Sequence, residues 1–341
     1  MTQTHEQLGI VTSPSGTLII IDTGYLGIWS HDKAPILTDD YLSGEERAID
    51  PNSFVDLEIV GADSEKAGRL LEMSWHPHFI YDQDPNHTEL SEKFTRLVNQ
   101  HRLDARLQTL SARVPHLQRA EQALKYGQGA GEFQFHGVWA VAIAGEPISQ
   151  PLRILGERMP LPNFDCWRRV IIECNRGQVT RSENIGVVGV DYARFLVSDL
   201  YALNAWQHEE SLDGLADFVF WGGDAERLAR ALDAPQLDSS EFGWVDVPKE
   251  FALEKGRAAI NYISAEELRV ATDYRPHSHH WRVMEPSRKT TTGSGTTEVG
   301  GATVCNFTST WGNGAFDVFR DLSDTGKLVQ IRIEFLHDEP S

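Results

Sequence analysis

Residues 15–31, SGTLIIIDTGYLGIWSH, and residues 192–208, YARFLVSDLYALNAWQH, carry one pattern twice. Aligned without a gap at an offset of 177, Asp22 meets Asp199, Leu26 meets Leu203, Trp29 meets Trp206 and His31 meets His208. The apolar run Leu18–Ile20 falls on Phe195–Val197. A second match follows in the same order at an offset of 161, DLEIVGADSEKAGRLL (56–71) on DFVFWGGDAERLARAL (217–232). Here Asp56/Asp217, Gly61/Gly222, Asp63/Asp224, Glu65/Glu226, Arg69/Arg230 and Leu71/Leu232 are identical. Four identities in 17 positions and six in 16 compare with about two expected by chance over both blocks, which reads as internal duplication. The first copy carries 16 more residues between the blocks (177 minus 161), around Asp39–Phe54. A fainter echo sets Phe135 and Trp139 against Phe307 and Trp311, and Pro85 and Pro248 both open helical patterns.

The fold expected from this is α+β: two tandem copies of a β-rich module, 8–155 and 183–337, joined by residues 156–182, with helices packed against antiparallel or mixed sheets. Leu18–Ile21 reads as a buried strand, a short β-branched run after the turn residues Pro14, Ser15 and Gly16. Leu57 and Ile59, like Phe218 and Phe220, alternate as strands do. Both copies then turn at Gly61 or Gly222 and enter a helix with Asp63 or Asp224 at its N-cap. Further helices are expected over Thr88–His101, Lys249–Ile263 and Leu117–Tyr126, the last stopping at Gly127. Phe133–Ile143 reads as one strand, Val170–Cys174 as a strand at the edge of the connection, and Phe316–Asp321 with Leu328–Phe335 as a hairpin. Ser287–Thr303, rich in Gly, Ser and Thr, reads as a mobile loop.

The 341 residues include 31 Lys and Arg against 50 Asp and Glu, a formal net charge of -19. Such a balance offers no surplus of cation to displace phosphate counterions or to dock on an anionic bilayer, so nucleic-acid and membrane-surface binding are excluded as expectations. The polar stretch Met1–Leu8 has no secretory pattern, and the longest apolar runs fall far short of the roughly 20 residues that span a bilayer. Three cysteines, Cys166, Cys174 and Cys305, are odd in number and read as buried free thiols of a cytoplasmic protein.

The opening Ser15-Gly16-Thr17-Leu18 with Asp22, and the closing Trp311-Gly312-Asn313-Gly314-Ala315-Phe316-Asp317-Val318, resemble an uncharacterised bacterial domain family of unknown function. Its members open on a Ser-Gly strand leading to Asp-Pro and close on a Gly-Asp-Gly-x-Tyr-Pro-Val-Tyr hairpin. The resemblance covers about 25 residues at each end, and Thr23, Asn313 and Phe316-Asp317 depart from it. It implies a β-rich α+β fold and no chemistry.

Chemical signatures are sparse. Gly127-Gln128-Gly129-Ala130-Gly131 lacks the Lys-Ser or Lys-Thr of a P-loop, Gly222-Gly223 is followed by an Asp that repels phosphate, and no G-x-S-x-G elbow occurs. Histidine is the suggestive element. His76 and His78, and His277, His279 and His280, lie at spacings that bring imidazoles to one face of a strand, where Asp82 or Asp84 would complete a site for zinc or another divalent metal. The repeated residues Asp22, Trp29, His31, Asp199, Trp206 and His208 form the second candidate, as ligand-binding groups or as turn caps and tryptophan supports. Three functions follow. The first is an acidic, non-enzymatic binding protein, immunity- or antitoxin-like, for a basic protein partner and without a cofactor. The second is a small-ligand binder with its pocket between the modules, near Trp29 and Trp206. The third is a metal-assisted hydrolase using the histidines.

Overall fold

The protein was analysed as a computed structural model that describes residues 5–35, 56–74, 88–135, 138–145, 150–160 and 165–336. The first half runs through β1 (His5–Val11), β2 (Thr17–Asp22), β3 (Leu57–Val60), α1 (Ser64–Ser74), α2 (Thr88–His101), β4 (Arg106–Thr109) and α3 (His116–Tyr126). It continues through β5 (Ala130–Phe135), β6 (Val138–Ala144), β7 (Leu152–Pro160) and β8 (Asp165–Glu173). The second half comprises β9 (Arg181–Val190), β10 (Arg194–Asp199), β11 (Leu215–Trp221), α4 (Ala225–Leu232), β12 (Glu241–Pro248), α5 (Lys249–Glu266) and β13 (Ala271–Pro276). It closes with α6 (His279–Lys289), β14 (Ser294–Val299), β15 (Ala302–Thr308), β16 (Gly314–Leu322) and β17 (Leu328–Glu334). The chain is therefore α+β, and every strand pair among the described residues is antiparallel.

Two six-stranded sheets form the body, in the orders β1-β7-β8-β17-β16-β9 and β14-β15-β10-β2-β6-β5. Side chains of a strand alternate between faces. On β2, Leu18 and Ile20 enter the core between the two sheets, with Trp167, Val170, Ile331 and Ile333. Ile19 and Ile21 enter the core on the opposite face, with Ala120 of α3 and Val283 and Met284 of α6. Both faces of β2 are covered, so all six of its residues are buried and its sequence reads as a continuous apolar run. A third core lies under the smaller sheet β12-β11-β13, where Phe218 and Phe220 pack with Leu228 of α4 and Ala252 and Ala259 of α5.

Both large sheets read alike from either end. At the centre of one, β2 lies beside β10 with Ile20 opposite Val197, residues 177 apart in sequence. Next to them, Ile143 of β6 stands opposite Leu18 and Phe307 of β15 opposite Phe195, partners that are 164 apart. The other sheet repeats both offsets: Val11 stands opposite Leu152, and Val188 opposite Phe316.

Several expectations are met. Helix α2 spans the expected Thr88–His101, α3 ends at Gly127, and β16 and β17 form the closing hairpin. The three cysteines are buried free thiols, and burial pushes the Cys305 thiol up to about 12. Among the described residues no helix is long and apolar enough to cross a membrane. Other expectations are corrected. The strand expected over Val170–Cys174 at the edge of the connection is part of β8, which lies inside a sheet between β7 and β17. Phe133–Ile143 is two strands of a hairpin, with Phe135 opposite Val138. Phe135 sits on an edge strand and Phe307 on an inner one, so their echo is not positional.

The stretch read as a mobile loop ends α6 and forms β14 and the start of β15. It lacks an apolar run because its polar groups are matched: Ser294 Oγ donates to the Leu8 carbonyl at 2.7 Å, and Thr290 Oγ1 to the Ser294 carbonyl at 2.9 Å. Gly295 lets the strand approach α6, where a Cβ would lie 2.5 Å from the Val283 carbonyl oxygen. Asp63 and Asp224 stand at helix starts but do not cap through their side chains. Each reaches to a loop that leads into a later strand, Asp63 accepting from the Asp104 N–H at 2.8 Å before β4 and Asp224 from the Arg269 N–H at 2.9 Å before β13. Gly61 and Gly222, at φ 123° and 133°, bring the chain against these same loops.

Candidate functional site

The repeated aspartates end the central strands. Asp22 is fully buried and accepts the N–H groups of Gly24 (2.7 Å), Asp191 (2.5 Å) and Tyr192 (2.9 Å). Burial pushes its carboxyl up to about 6 against these three bonds. Asp199 accepts the N–H groups of Tyr201 and Ala202, each at 2.9 Å, that of Ser15 at 2.8 Å, and the hydroxyls of Ser15 and Ser13. Each carboxylate thus fixes the 3-10 turn that follows its strand, Thr23–Ile28 or Ala202–Ala205, which ends at Trp29 or Trp206. Asp22 and Asp199 hold the tryptophans in place and do not themselves line the cleft described next.

Each indole then stacks on an imidazole at the start of a helix. Trp29 lies on His116 at 5.6 Å and 29°, and Trp206 on His279 at 5.7 Å and 24°. The two imidazoles are held alike, His116 Nδ1 accepting from the Ser30 N–H at 3.1 Å and His279 Nδ1 from the Gln207 N–H at 2.9 Å. A neutral imidazole accepting at Nδ1 carries its proton on Nε2. The Trp29 indole N–H reaches the other half, donating to Asn204 Oδ1 at 3.1 Å, whereas that of Trp206 donates to His208 Nδ1 at 3.2 Å.

Between these units lies a cleft of about 180 Å³. Trp29 and His31 line it from one half, Trp206, Gln207, His208, Glu209 and Glu210 from the other, and Leu26 and Gly27 complete it. His31 takes a left-handed backbone (φ 56°), and burial holds its pKa below the ordinary value despite a hydrogen bond with Asn204. Burial holds His208 down to about 4. Its ring lies 4.2 Å from that of His280, which is held down to about 3 by burial first and then by His208, Arg194 and Arg288. The Nδ1 of His280 is buried and has no hydrogen-bond partner among the described residues. Among the described residues the lining therefore holds two acidic side chains, Glu209 and Glu210, and no lysine or arginine, although Lys249 Nζ lies 3.8 Å from Glu210 Oε2.

The expected histidine cluster is divided. His76, His78, Asp82, Asp84 and Pro85 lie outside the described residues. Ser278 Oγ caps the Trp281 N–H at 3.2 Å, so β13 ends before His279 and α6 begins there. His279 and His280 consequently belong to the cleft side, stacked on Trp206 and against His208, while His277 turns away to carboxylates. Its Nδ1 lies 3.2 Å from Asp213 Oδ2 and its Nε2 3.2 Å from Asp217 Oδ1. Burial works against the charged form, but the bonds to Asp217 and Asp213 raise the His277 pKa on balance. Asp213 is drawn down to about 2 against its desolvation, by the Leu215 N–H, His277 and Ser211.

Four contributors escape the sequence patterns: His116, Asn204, and the Glu209-Glu210 pair. His116 and His279 do stand 163 apart, with Arg119 and Arg282 at the same offset, but two identities in these helices are too few to stand out in the sequence. No protein-family model, no curated protein and no solved structure matches this chain.

Proposed function

We propose that this chain is an acidic, non-enzymatic binding protein of the cytosol whose cleft receives a cationic side chain, lysine or arginine, presented by a basic protein partner. The observation that carries this is the convergence of Trp29, His31, Trp206 and His208 on one cleft that, among the described residues, is lined by the acidic pair Glu209 and Glu210 and by no lysine or arginine. A cleft of about 180 Å³ is smaller than the roughly 300–1,000 Å³ of pockets that enclose drug-sized ligands, which suits a side-chain head. The Glu209 carboxylate, and that of Glu210 with Lys249 Nζ 3.8 Å away, favour an ammonium or guanidinium group. The net charge of -19 speeds encounter with a basic surface and makes the rate fall with salt.

The same reading takes the two halves as descendants of one duplicated unit, supported by the shared offsets of 177 and 164 across both sheets. Copying an ancestral wall supplies both sides of a cleft at once. Tryptophan fluorescence titrated with arginine- and lysine-rich peptides at low salt tests the proposal. A saturable change is expected, lost in Glu209→Gln/Glu210→Gln and weakened at high salt. An unchanged signal, or one equal in the double variant, rejects it.

A further inference from the structure

We propose that His277 Nε2, Asp217 and Asp246 form a binding site for a divalent transition-metal ion, with Asp213 orienting the imidazole. This site is separate from the cleft. The three ligand atoms lie within 4.8 Å of one another, His277 Nε2 being 3.2 Å from Asp217 Oδ1 and 3.7 Å from Asp246 Oδ1. Ligand atoms about 2.0–2.2 Å from a tetrahedral centre stand about 3.4 Å apart, close to the 3.2 and 3.7 Å that separate His277 Nε2 from the two carboxylate oxygens. The opposite ring nitrogen, Nδ1, faces Asp213 Oδ2 at 3.2 Å, and Arg282 steadies that carboxylate at 2.8 Å. A carboxylate behind a ligating histidine fixes its tautomer and raises its basicity.

Two further observations separate this group from an ordinary ion pair. The first is charge. Three carboxylates, Asp213, Asp217 and Asp246, gather round one imidazole, and Arg282 pairs with Asp213 alone. In the first half, Asp56 aligns with Asp217 and is neutralised by a two-pronged bond from Arg119, at 3.0 and 2.7 Å. Arg119 and Arg282 occupy the same place, three residues into α3 and α6. The second half has turned that arginine to Asp213, leaving Asp217 and Asp246 to share His277. A divalent ion balances what remains.

The second observation is a β-bulge. Ala216 pairs with Val247 and Phe218 with Trp244, so Val245 and Asp246 both stand opposite Asp217. Asp246 adopts φ 53°, its N–H bonds Asp217 Oδ1 at 2.8 Å, and its carboxylate is brought beside His277. Bulges re-aim side chains in this way next to functional sites. One nitrogen and two carboxylate ligands suit zinc, manganese or ferrous iron, and leave coordination positions for an exchangeable ligand.

Zinc uptake by the full chain, freed of any affinity tag, tests the assignment by calorimetry, with cobalt substitution read by visible absorption. One equivalent of zinc is expected, with cobalt bands of a low-symmetry nitrogen and oxygen site. Asp246→Asn and His277→Gln should each weaken zinc at least tenfold, Asp213→Asn tenfold to a hundredfold, and Asp273→Asn not at all. If His277→Gln fails to fold, Asp246→Asn decides alone, because that side chain is 77% exposed. No uptake at roughly millimolar zinc, or equal affinity in the wild type and Asp246→Asn, overturns the site.

Discussion

Asp22 and Asp199 hold each other's strands: Asp22 takes the N–H of Tyr192 just before β10, and Asp199 takes the N–H of Ser15 just before β2. Ser15 and Tyr192 are themselves 177 residues apart, as the two aspartates are. The carboxylates therefore fasten the central strand pair at both ends. Removing the Asp199 carboxylate takes the acceptor from three partly buried N–H groups, those of Ser15, Tyr201 and Ala202, and a donor left unsatisfied costs about 1–3 kcal/mol where water cannot reach it. Asp199→Ala should lower the unfolding free energy by roughly 3 kcal/mol or more in urea titrations. A loss under about 1 kcal/mol would show that water replaces the carboxylate.

Acid should weaken the fold through His208 and His280. Their pKa values in the fold, about 4 and about 3, lie below the ordinary 6.5. Below pH 6.5 the unfolded chain binds protons that the folded chain refuses, so stability is complete above that pH and drains as pH falls toward 4. Asp22 acts in the opposite sense, because its pKa is raised from 3.8 to about 6. It contributes stability at low pH that is lost as pH rises from 4 to 6. Two histidines outweigh one aspartate. His280→Leu should abolish about 2 kcal/mol of the loss between pH 7 and pH 5, at about 1.4 kcal/mol per pH unit. Leucine is already the residue at the corresponding place in α3, Leu117. Urea midpoints at the two pH values supply the comparison.

Arg119 and Arg282 should differ in what their loss costs. Arg119 is 20% exposed and grips Asp56, whereas Arg282 is 44% exposed and meets Asp213. Arg119→Met is expected to cost roughly 2–3 kcal/mol, because a half-buried carboxylate loses its counter-charge, and Arg282→Met less than about 1 kcal/mol. Equal costs by thermal or chemical unfolding would contradict the contrast.

Gly222 tolerates no side chain. At φ 133° its Cβ would stand 2.6 Å from the Arg269 carbonyl oxygen. Gly222→Ala should cost roughly 2 kcal/mol or more, from strain and a forced shift of the loop before β13. Gly301 has a positive φ but open space around it, so Gly301→Ala should cost about half as much. The two melting curves test this directly.

Legibility in the sequence followed burial. Leu18–Ile21 announced itself because both faces of β2 are covered, and the repeated tryptophans because large indoles need a built socket. Strand β14 did not, because Ser294 and Gly295 serve close packing and backbone bonds, which leave no apolar period. The cleft was half visible. Trp29, His31, Trp206 and His208 stood out as identical repeats, but Glu209 and Glu210 fall on Asp32 and Lys33 at the same offset and so are not among the identities. The histidine run was legible as chemistry yet not as geometry. A single N-cap, Ser278, sends His277 one way and His279 with His280 another.

The pairing of β2 with β10, and of β8 with β17, places the joins between the halves in the middle of both sheets and not at their margins. A chain severed in the Asn175–Gly177 turn between β8 and β9 would give two fragments, each with two bare strand edges of mostly apolar residues. Apart, such pieces are templates for aggregation. Mixed, they recover their hydrogen-bond ladders only from each other, which makes the molecule a natural scaffold for split-protein complementation.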